Sequence, residues 1–215
     1  MNDSRKWYYK SRAEKVIGKL SEKKFDAVYV ETLEAAKEEV LKCIKEGASV
    51  AMGGSVTLNE MDMINTIRNG NYKFFDRFDP KLTFAEEVEV YRQGMLADYF
   101  LTSTNAITED GQLVNIDCTG NRAASIIFGP RKVIIVAGFN KIVKDLDAAM
   151  ERLKEIAPMN CKRLKGHNVV PCVRFGECTD CNIKQRMCNY ISIVKHGGKF
   201  QGRFKVIIVG EEVGF

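Results

Sequence analysis

Short, strand-sized apolar runs, each followed by one helix-length stretch, constrain this chain more than any other feature of its sequence. Residues 25–30 read as a strand. Residues 32–45 read as a helix, with Thr32 at its N-cap and Gly47 just past its end. A second strand, 48–52, runs into Gly53-Gly54-Ser55, and a helix over about 57–68 follows. Strand 72–75, helix 84–96 and strand 99–102 continue the alternation. Strands separated by single helices imply βαβ units and a largely parallel sheet, with right-handed crossovers and helices on both faces.

The middle departs from this rhythm. Residues 106–108 and 113–116 flank Glu109-Asp110-Gly111-Gln112, and an Asp-Gly between apolar runs signals a hairpin. The sheet is therefore expected to carry an antiparallel piece near 106–116. Residues 132–137 are apolar on both faces, as a central strand is. A charged helix is expected over 4–20, and another over 146–157 that ends at Pro158. Regularity then fades until a last strand at 204–209. No internal repeat is visible, and 215 residues suffice for one sizeable core. The reading is one α/β domain over 1–215 with a cysteine-rich loop, 171–189, before the last strand.

Composition narrows the functional class. The longest apolar runs, such as 133–137, fall far short of the roughly 20 residues that a membrane helix needs. Residues 1–7 lack the apolar centre of a signal peptide, so a cytoplasmic protein is expected. The net charge of +5 comes from 33 basic and 28 acidic residues that interleave along the chain. That pattern fits a solvated mixed surface and not the dense basic face of a nucleic-acid-binding module. Seven cysteines in a chain without a secretion signal argue against a disulfide framework.

Two constellations carry chemistry. In the first, Gly53 and Gly54 let a ligand approach the backbone, Ser55 and Thr57 add hydroxyls, and the N–H groups of the following helix suit an anion. A turn with no ligand explains the motif equally well. Neither a Gly-Lys-Ser/Thr phosphate loop nor G-x-G-x-x-G is present, so no nucleotide cofactor is expected. The polar stretch 104–122 adds Arg122, which could clamp a carboxylate, and Asn105 and Asn121 as neutral hydrogen-bonding groups. Glu109 or Asp117 could act as general base or nucleophile; alternatively these residues only cap turns. Both segments follow parallel strands, so they are expected to face one crevice that holds a small anionic molecule.

The second constellation is Cys172, Cys178, Cys181 and Cys188, spaced C-x5-C-x2-C-x6-C. Four thiolates suit tetrahedral zinc or a [4Fe–4S] cluster. The spacing matches neither ferredoxin runs nor a zinc knot with two C-x2-C pairs. Redox thiols and inert buried cysteines are the alternatives. His167 and His196 flank the segment and read as surface histidines that could replace a ligand.

The stretch TNAITEDGQLVNIDCTGNRAASIIFGPRKVIIVAG strongly resembles the core of the LUD-domain family, the lactate-utilisation proteins. AMGGSVTLNEM resembles that family's glycine turn, and PCVRFGECTDCNIKQRMCN and VIIVGEEVGF resemble its short, stand-alone members. The resemblance runs from about residue 10 to the end. It implies an α/β fold of the sugar-phosphate isomerase and CoA-transferase type. It also implies a role accessory to lactate and 2-hydroxy-acid redox metabolism, beside iron–sulfur partner proteins. Kinship with redox-linked proteins favours [4Fe–4S] over zinc at the four cysteines. CoA transferases of this superfamily use a glutamate nucleophile near a glycine, and Glu109, two residues before Gly111, is its counterpart by resemblance. Two alternatives follow: an acyl/CoA transferase or isomerase acting through Glu109, and a metal- or redox-sensing scaffold. Cys118 stands where such proteins usually have glycine, which puts close backbone approach at that point in question.

Overall fold

The computed structural model describes residues 2–164 and 169–215. Helix α1 (Asp3–Glu22) leads into β1 (Asp26–Val30), α2 (Leu33–Cys43) and β2 (Ser49–Met52). Two short helices, α3 (Val56–Glu60) and α4 (Met63–Asn69), precede β3 (Lys73–Phe75), α5 (Phe84–Gly94) and β4 (Tyr99–Thr102). The hairpin strands are β5 (Ala106–Thr108) and β6 (Leu113–Asp117), followed by α6 (Asn121–Ile127) and β7 (Lys132–Gly138). A 3-10 turn at Phe139–Lys141 leads to β8 (Ile142–Val143), α7 (Leu146–Arg163), α8 (Pro171–Phe175), β9 (Tyr190–Val194) and β10 (Phe204–Val209).

Six strands form one sheet in the order β1-β10-β7-β4-β2-β3, and every pairing in it is parallel. The strand β7 is central and is buried along nearly its whole length. Its side chains alternate between two cores: Val133, Ile135 and Ala137 pack with Ala13, Val16 and Leu20 of α1, whereas Ile134 and Val136 pack with Ala36 and Val40 of α2. Helices on both faces explain why this strand reads as a continuous apolar run. Each fully buried Val, Leu or Ile among these contributes about 1.5–3 kcal/mol.

The expected hairpin is present, with β5 and β6 antiparallel through Ala106↔Val114 and Ile107↔Leu113. It belongs to a second sheet, β8-β5-β6-β9, in which β9 adds antiparallel to β6 and β8 parallel to β5. This sheet packs on α7 through Ala106, Val114, Ala149, Leu153 and Ile156.

Four local expectations need correction. The helix expected over 57–68 is broken at Asp62, whose φ of 52° is left-handed. Pro158 does not end α7, which continues to Arg163 with the proline buried inside it. An interior proline loses one N–H bond to the carbonyl a turn earlier and crowds that carbonyl, and packing along the buried face of α7 carries the helix past that cost. Third, Arg122 lies in the first turn of α6 and not in a loop; Gly120, at φ 79°, forms the N-cap of this helix without a side-chain cap. Fourth, residues 190–194 are a strand where no regular structure was expected. No helix among the described residues is long and apolar enough to cross a membrane.

Candidate functional site

A cleft of about 380 Å³ opens where the carboxyl ends of β2 and β4 and the turn after β7 meet the second sheet and helix α7. Parallel strands deliver all of their carboxyl ends to one edge, so segments far apart in sequence converge there. Gly54 and Ser55 come from the end of β2, Ser103, Thr104 and Asn105 from the end of β4, and Lys141 from the turn after β7. The second sheet contributes Ile116, Asp117 and Cys118, and α6 contributes Asn121 and Arg122. Arg163 and Cys161 reach it from α7.

Gly54, Ser55, Asn105, Asp117, Asn121 and Arg122 therefore share one cleft; the first three follow parallel strands, whereas Asp117, Asn121 and Arg122 are brought there by the antiparallel strand β6 and by α6. Gly53 does not line it: a Cβ there would lie 3.0 Å from Thr102 Oγ1 and 3.3 Å from the Phe100 ring, so this glycine serves close packing inside the sheet. The Ser55 hydroxyl accepts from Leu58 N at 3.3 Å and caps α3. That helix has only five residues, so it supplies no strong anion site of its own.

Arg122 is held from several sides. Its Nε donates to Asp117 Oδ1 at 2.8 Å, and one Nη donates to Asn105 Oδ1 at 2.6 Å and to the Ile116 carbonyl at 2.7 Å. Both members of the ion pair are largely buried, with 12% and 8% of their side chains exposed. The second oxygen of Asp117, Oδ2, is buried without a hydrogen-bond partner among the described residues. Arg122 is thus both a wall of the cleft and a structural tie between β6, α6 and the turn after β4.

Glu109 is placed elsewhere. It pairs with Arg12 of α1 at 2.7 Å and does not line the cleft. The geometry does not join it to Asp117 or Arg122, and it has no partner set for nucleophilic chemistry. Cys118 does line the cleft; it is not among the residues with positive φ, so its backbone does not require glycine. Burial, followed by the Asp117 carboxylate, pushes its thiol up.

The most unusual group is one the sequence reading missed. Lys141 is only 4% exposed, and its Nζ donates to Thr57 Oγ1 and Ser103 Oγ, each at 2.9 Å. Among the described residues no carboxylate forms an ion pair with it. Desolvation, followed by the positive charges of Arg152 and Arg122, pushes its pKa down from 10.5 to about 7, against a small opposing pull from Glu60. Thr57, expected to face a ligand, is fully buried and instead holds this amine. The only sequence signal for Lys141 is its place just after the most apolar strand, at the ligand-bearing edge of the sheet.

The cationic side of the cleft is completed by Arg77 and Arg163. Arg77 is paired with Glu87, its Nε lying 3.1 Å from Oε1, and the Tyr91 hydroxyl also donates to Glu87. Arg163 sits on the rim with its Nε on Asn160 Oδ1 at 3.1 Å. Desolvation, followed by the like charges of Arg122 and Arg77, pushes its guanidinium pKa down.

Beside the cleft lies a second pocket of about 20 Å³, lined by Cys161, Cys172, Cys178, Cys181 and Cys188. The four cysteines singled out by spacing thus line one small pocket, and Cys161 of α7 joins them. Cys161 and Cys188 line both pockets. Desolvation and the neighbouring cysteines push the Cys161 thiol up to about 12 and Cys188 up to about 11. Arg186 braces the loop through the carbonyls of Cys181 and Cys188, at 2.6 and 2.9 Å. Among the described residues, no three His, Cys, Asp or Glu side chains are spaced to hold a metal ion as they stand. His196 accepts from Gly198 N on the surface and does not line the thiol pocket; His167 lies outside the described residues.

A search of curated proteins finds no match. Among solved structures, a DUF162 family protein from Deinococcus radiodurans is similar over 95% of this chain and 98% of its own, with 15% identity and a TM-score of 0.51, a likeness of fold. The delta subunit of eIF2B from Chaetomium thermophilum matches over 55% of this chain and 50% of its own, at 14% identity and a TM-score of 0.35. The family model of the LUD domain matches residues 13–209, nearly the whole α/β unit described above. The chain belongs to the LUD-domain family and is, in that general sense, a lactate-utilisation-type protein.

Proposed function

We propose that the cleft binds a small carboxylate-bearing metabolite of the 2-hydroxy- or 2-oxo-acid class, in a role accessory to lactate-type redox metabolism with iron–sulfur proteins as partners. The observation that carries this reading is the convergence of Lys141, Arg122 and Arg163 on one cleft at the carboxyl edge of a parallel sheet. The cleft's volume suits a small ligand. Guanidinium groups recognise carboxylates through paired donors. The unpartnered Asp117 Oδ2 could accept a proton or a hydroxyl from a ligand that displaced its cover. Thermal denaturation with lactate, pyruvate, a sugar phosphate and an acyl-CoA tests the reading, because a ligand that binds only the folded state raises its stability by mass action. Lactate or pyruvate should raise the melting temperature, and Arg163→Ala should weaken that rise. Stabilisation by the acyl-CoA alone would favour the transferase reading instead, although Glu109 stands outside the cleft.

A specific observation supports a second element. Five cysteines around one small pocket have the donor chemistry of a thiophilic metal centre. Cys172, Cys178, Cys181 and Cys188 would be the ligands of a [4Fe–4S] cluster or of a zinc ion, with the loop drawing inward. Elemental analysis of protein purified without oxygen should find iron with sulfide, or one zinc per chain. Neither metal, with all four thiols titrating freely in the folded chain, would remove the centre.

A further inference from the structure

We infer that Lys141 is a nucleophilic amine that captures the carbonyl carbon of a 2-oxo acid as an imine. The inference rests on the reading of the cleft as a carboxylate site and gives that site a reaction.

A neutral amine has two N–H donors and one lone pair, whereas an ammonium has three donors. Among the described residues, Lys141 Nζ has two side-chain acceptors, the hydroxyls of Thr57 and Ser103. The Ser103 hydroxyl donates its own proton to the Thr104 carbonyl at 3.3 Å, so towards Lys141 it accepts. Two acceptors satisfy the neutral amine and leave its lone pair unused; they would leave an ammonium one donor short in a buried place. A buried ammonium without a counter-ion is costly. The titratable groups acting on this nitrogen are Arg152, Arg122 and Glu60, so the local field is cationic. Glu60 is itself occupied, accepting from Gly214 N at 2.8 Å. Desolvation beside other cations is a recognised way of activating a lysine nucleophile, and the fall of its pKa to about 7 agrees with the geometry.

The C-terminal segment closes tightly over the amine: a Cβ added at Gly214, where φ is +62°, would lie 3.0 Å from Nζ and 2.4 Å from Thr57 Oγ1. The amine is therefore held in place, and Lys141 lines the same cleft as Arg122 and Arg163. A 2-oxo acid carries its carboxylate one bond from its electrophilic carbon. Guanidinium contacts to the carboxylate would bring C2 to the amine. Nζ attacks C2, the carbonyl oxygen takes the first amine proton to give the carbinolamine, and that hydroxyl leaves as water with the second amine proton. The resulting imine takes one proton from solvent. No oxidant or reductant is consumed, and hydrolysis reverses each step.

The test uses the full chain with pyruvate as the smallest stable 2-oxo acid, followed by borohydride reduction and mass spectrometry. One adduct per chain is expected, heavier by pyruvate less water plus two hydrogens, and mapped by peptide digestion to Lys141. Lys141→Met should abolish it, and Lys144→Arg, on the exposed turn nearby, should not. Peptide mapping of the unaltered protein locates the label even if Lys141→Met folds poorly. Oxamate, which resembles pyruvate but does not form an imine, separates two failures. If oxamate protects the protein but pyruvate leaves no adduct, or the label spreads over surface lysines, the imine is wrong and the carboxylate site stands. If neither compound binds, the carboxylate site itself falls.

Discussion

Burying Lys141 without a carboxylate partner costs the folded chain most when the amine is charged. Its pKa is about 7 when folded, against 10.5 for an ordinary lysine. Between those values the unfolded chain binds one proton more than the folded chain, so stability rises with pH across that window. Below pH 7 both states are charged and the full cost remains; above 10.5 it disappears. Relative to Lys141→Met, wild-type stability should therefore rise between pH 6.5 and 10 by an amount on the order of 4 kcal/mol. Urea denaturation at the two pH values reads this directly, and a difference independent of pH would mean that the amine is not desolvated. Arg122 has the opposite character, because its charge is already paired. Arg122→Ala should cost about 3–5 kcal/mol of stability by stranding Asp117, quite apart from any loss of ligand. Glu109→Gln, which breaks an exposed pair with Arg12, should cost no more than about 1 kcal/mol and leave ligand-induced stabilisation unchanged. The sequence announces Asp117, Asn105 and Arg122 as polar residues crowded between apolar strands. Nothing local announces Lys141, since its chemistry comes from burial by Thr57, Ser103 and Gly214, which meet it only in three dimensions.

At the scale of elements, the strands and helices that are periodic on their own were readable, from β1 through β4 except for the break between α3 and α4, and again at β7 and β10. Those that depend on a neighbour were not. Strand β9 leaves Tyr190, Ile191 and Ile193 partly exposed, and it is ordered by pairing with β6. Helix α6 starts at a glycine with no side-chain cap, so the usual start signal is missing. Pro158 looked like a stop because its local cost was visible while the packing that offsets it was not. Gly120 gives α6 its direction and so aims Arg122. Alanine at φ 79° should cost about 1–2 kcal/mol. Chemical denaturation of Gly120→Ala measures that cost, and an unchanged midpoint would show that another residue is tolerated there.

Across the whole molecule, two cores flank the parallel sheet, and the second sheet and α7 wall off one side of its carboxyl edge. The cleft and the thiol pocket are neighbours because Ala157 and Cys161 of α7, with Met187 and Cys188 of the cysteine loop, line both. Filling the thiol pocket with a metal should therefore steady one wall of the cleft. Chelation of protein purified without oxygen should lower its melting temperature and weaken its response to lactate or pyruvate together. Cys181→Ser should reproduce both effects and Cys43→Ser neither, since Cys43 lies across the sheet at the end of α2. The cysteine spacing disclosed four members of this cluster, and the fifth, Cys161, joins only because α7 passes Pro158.

What occupies the cleft decides whether Lys141 and the guanidinium groups act on one carboxylate-bearing ligand. A crystal structure of the protein soaked in pyruvate at saturating concentration should show the carboxylate against Arg122 or Arg163 and the C2 carbon at Lys141 Nζ. A cleft filled only by solvent under those conditions, or pyruvate bound solely elsewhere on the surface, would contradict it.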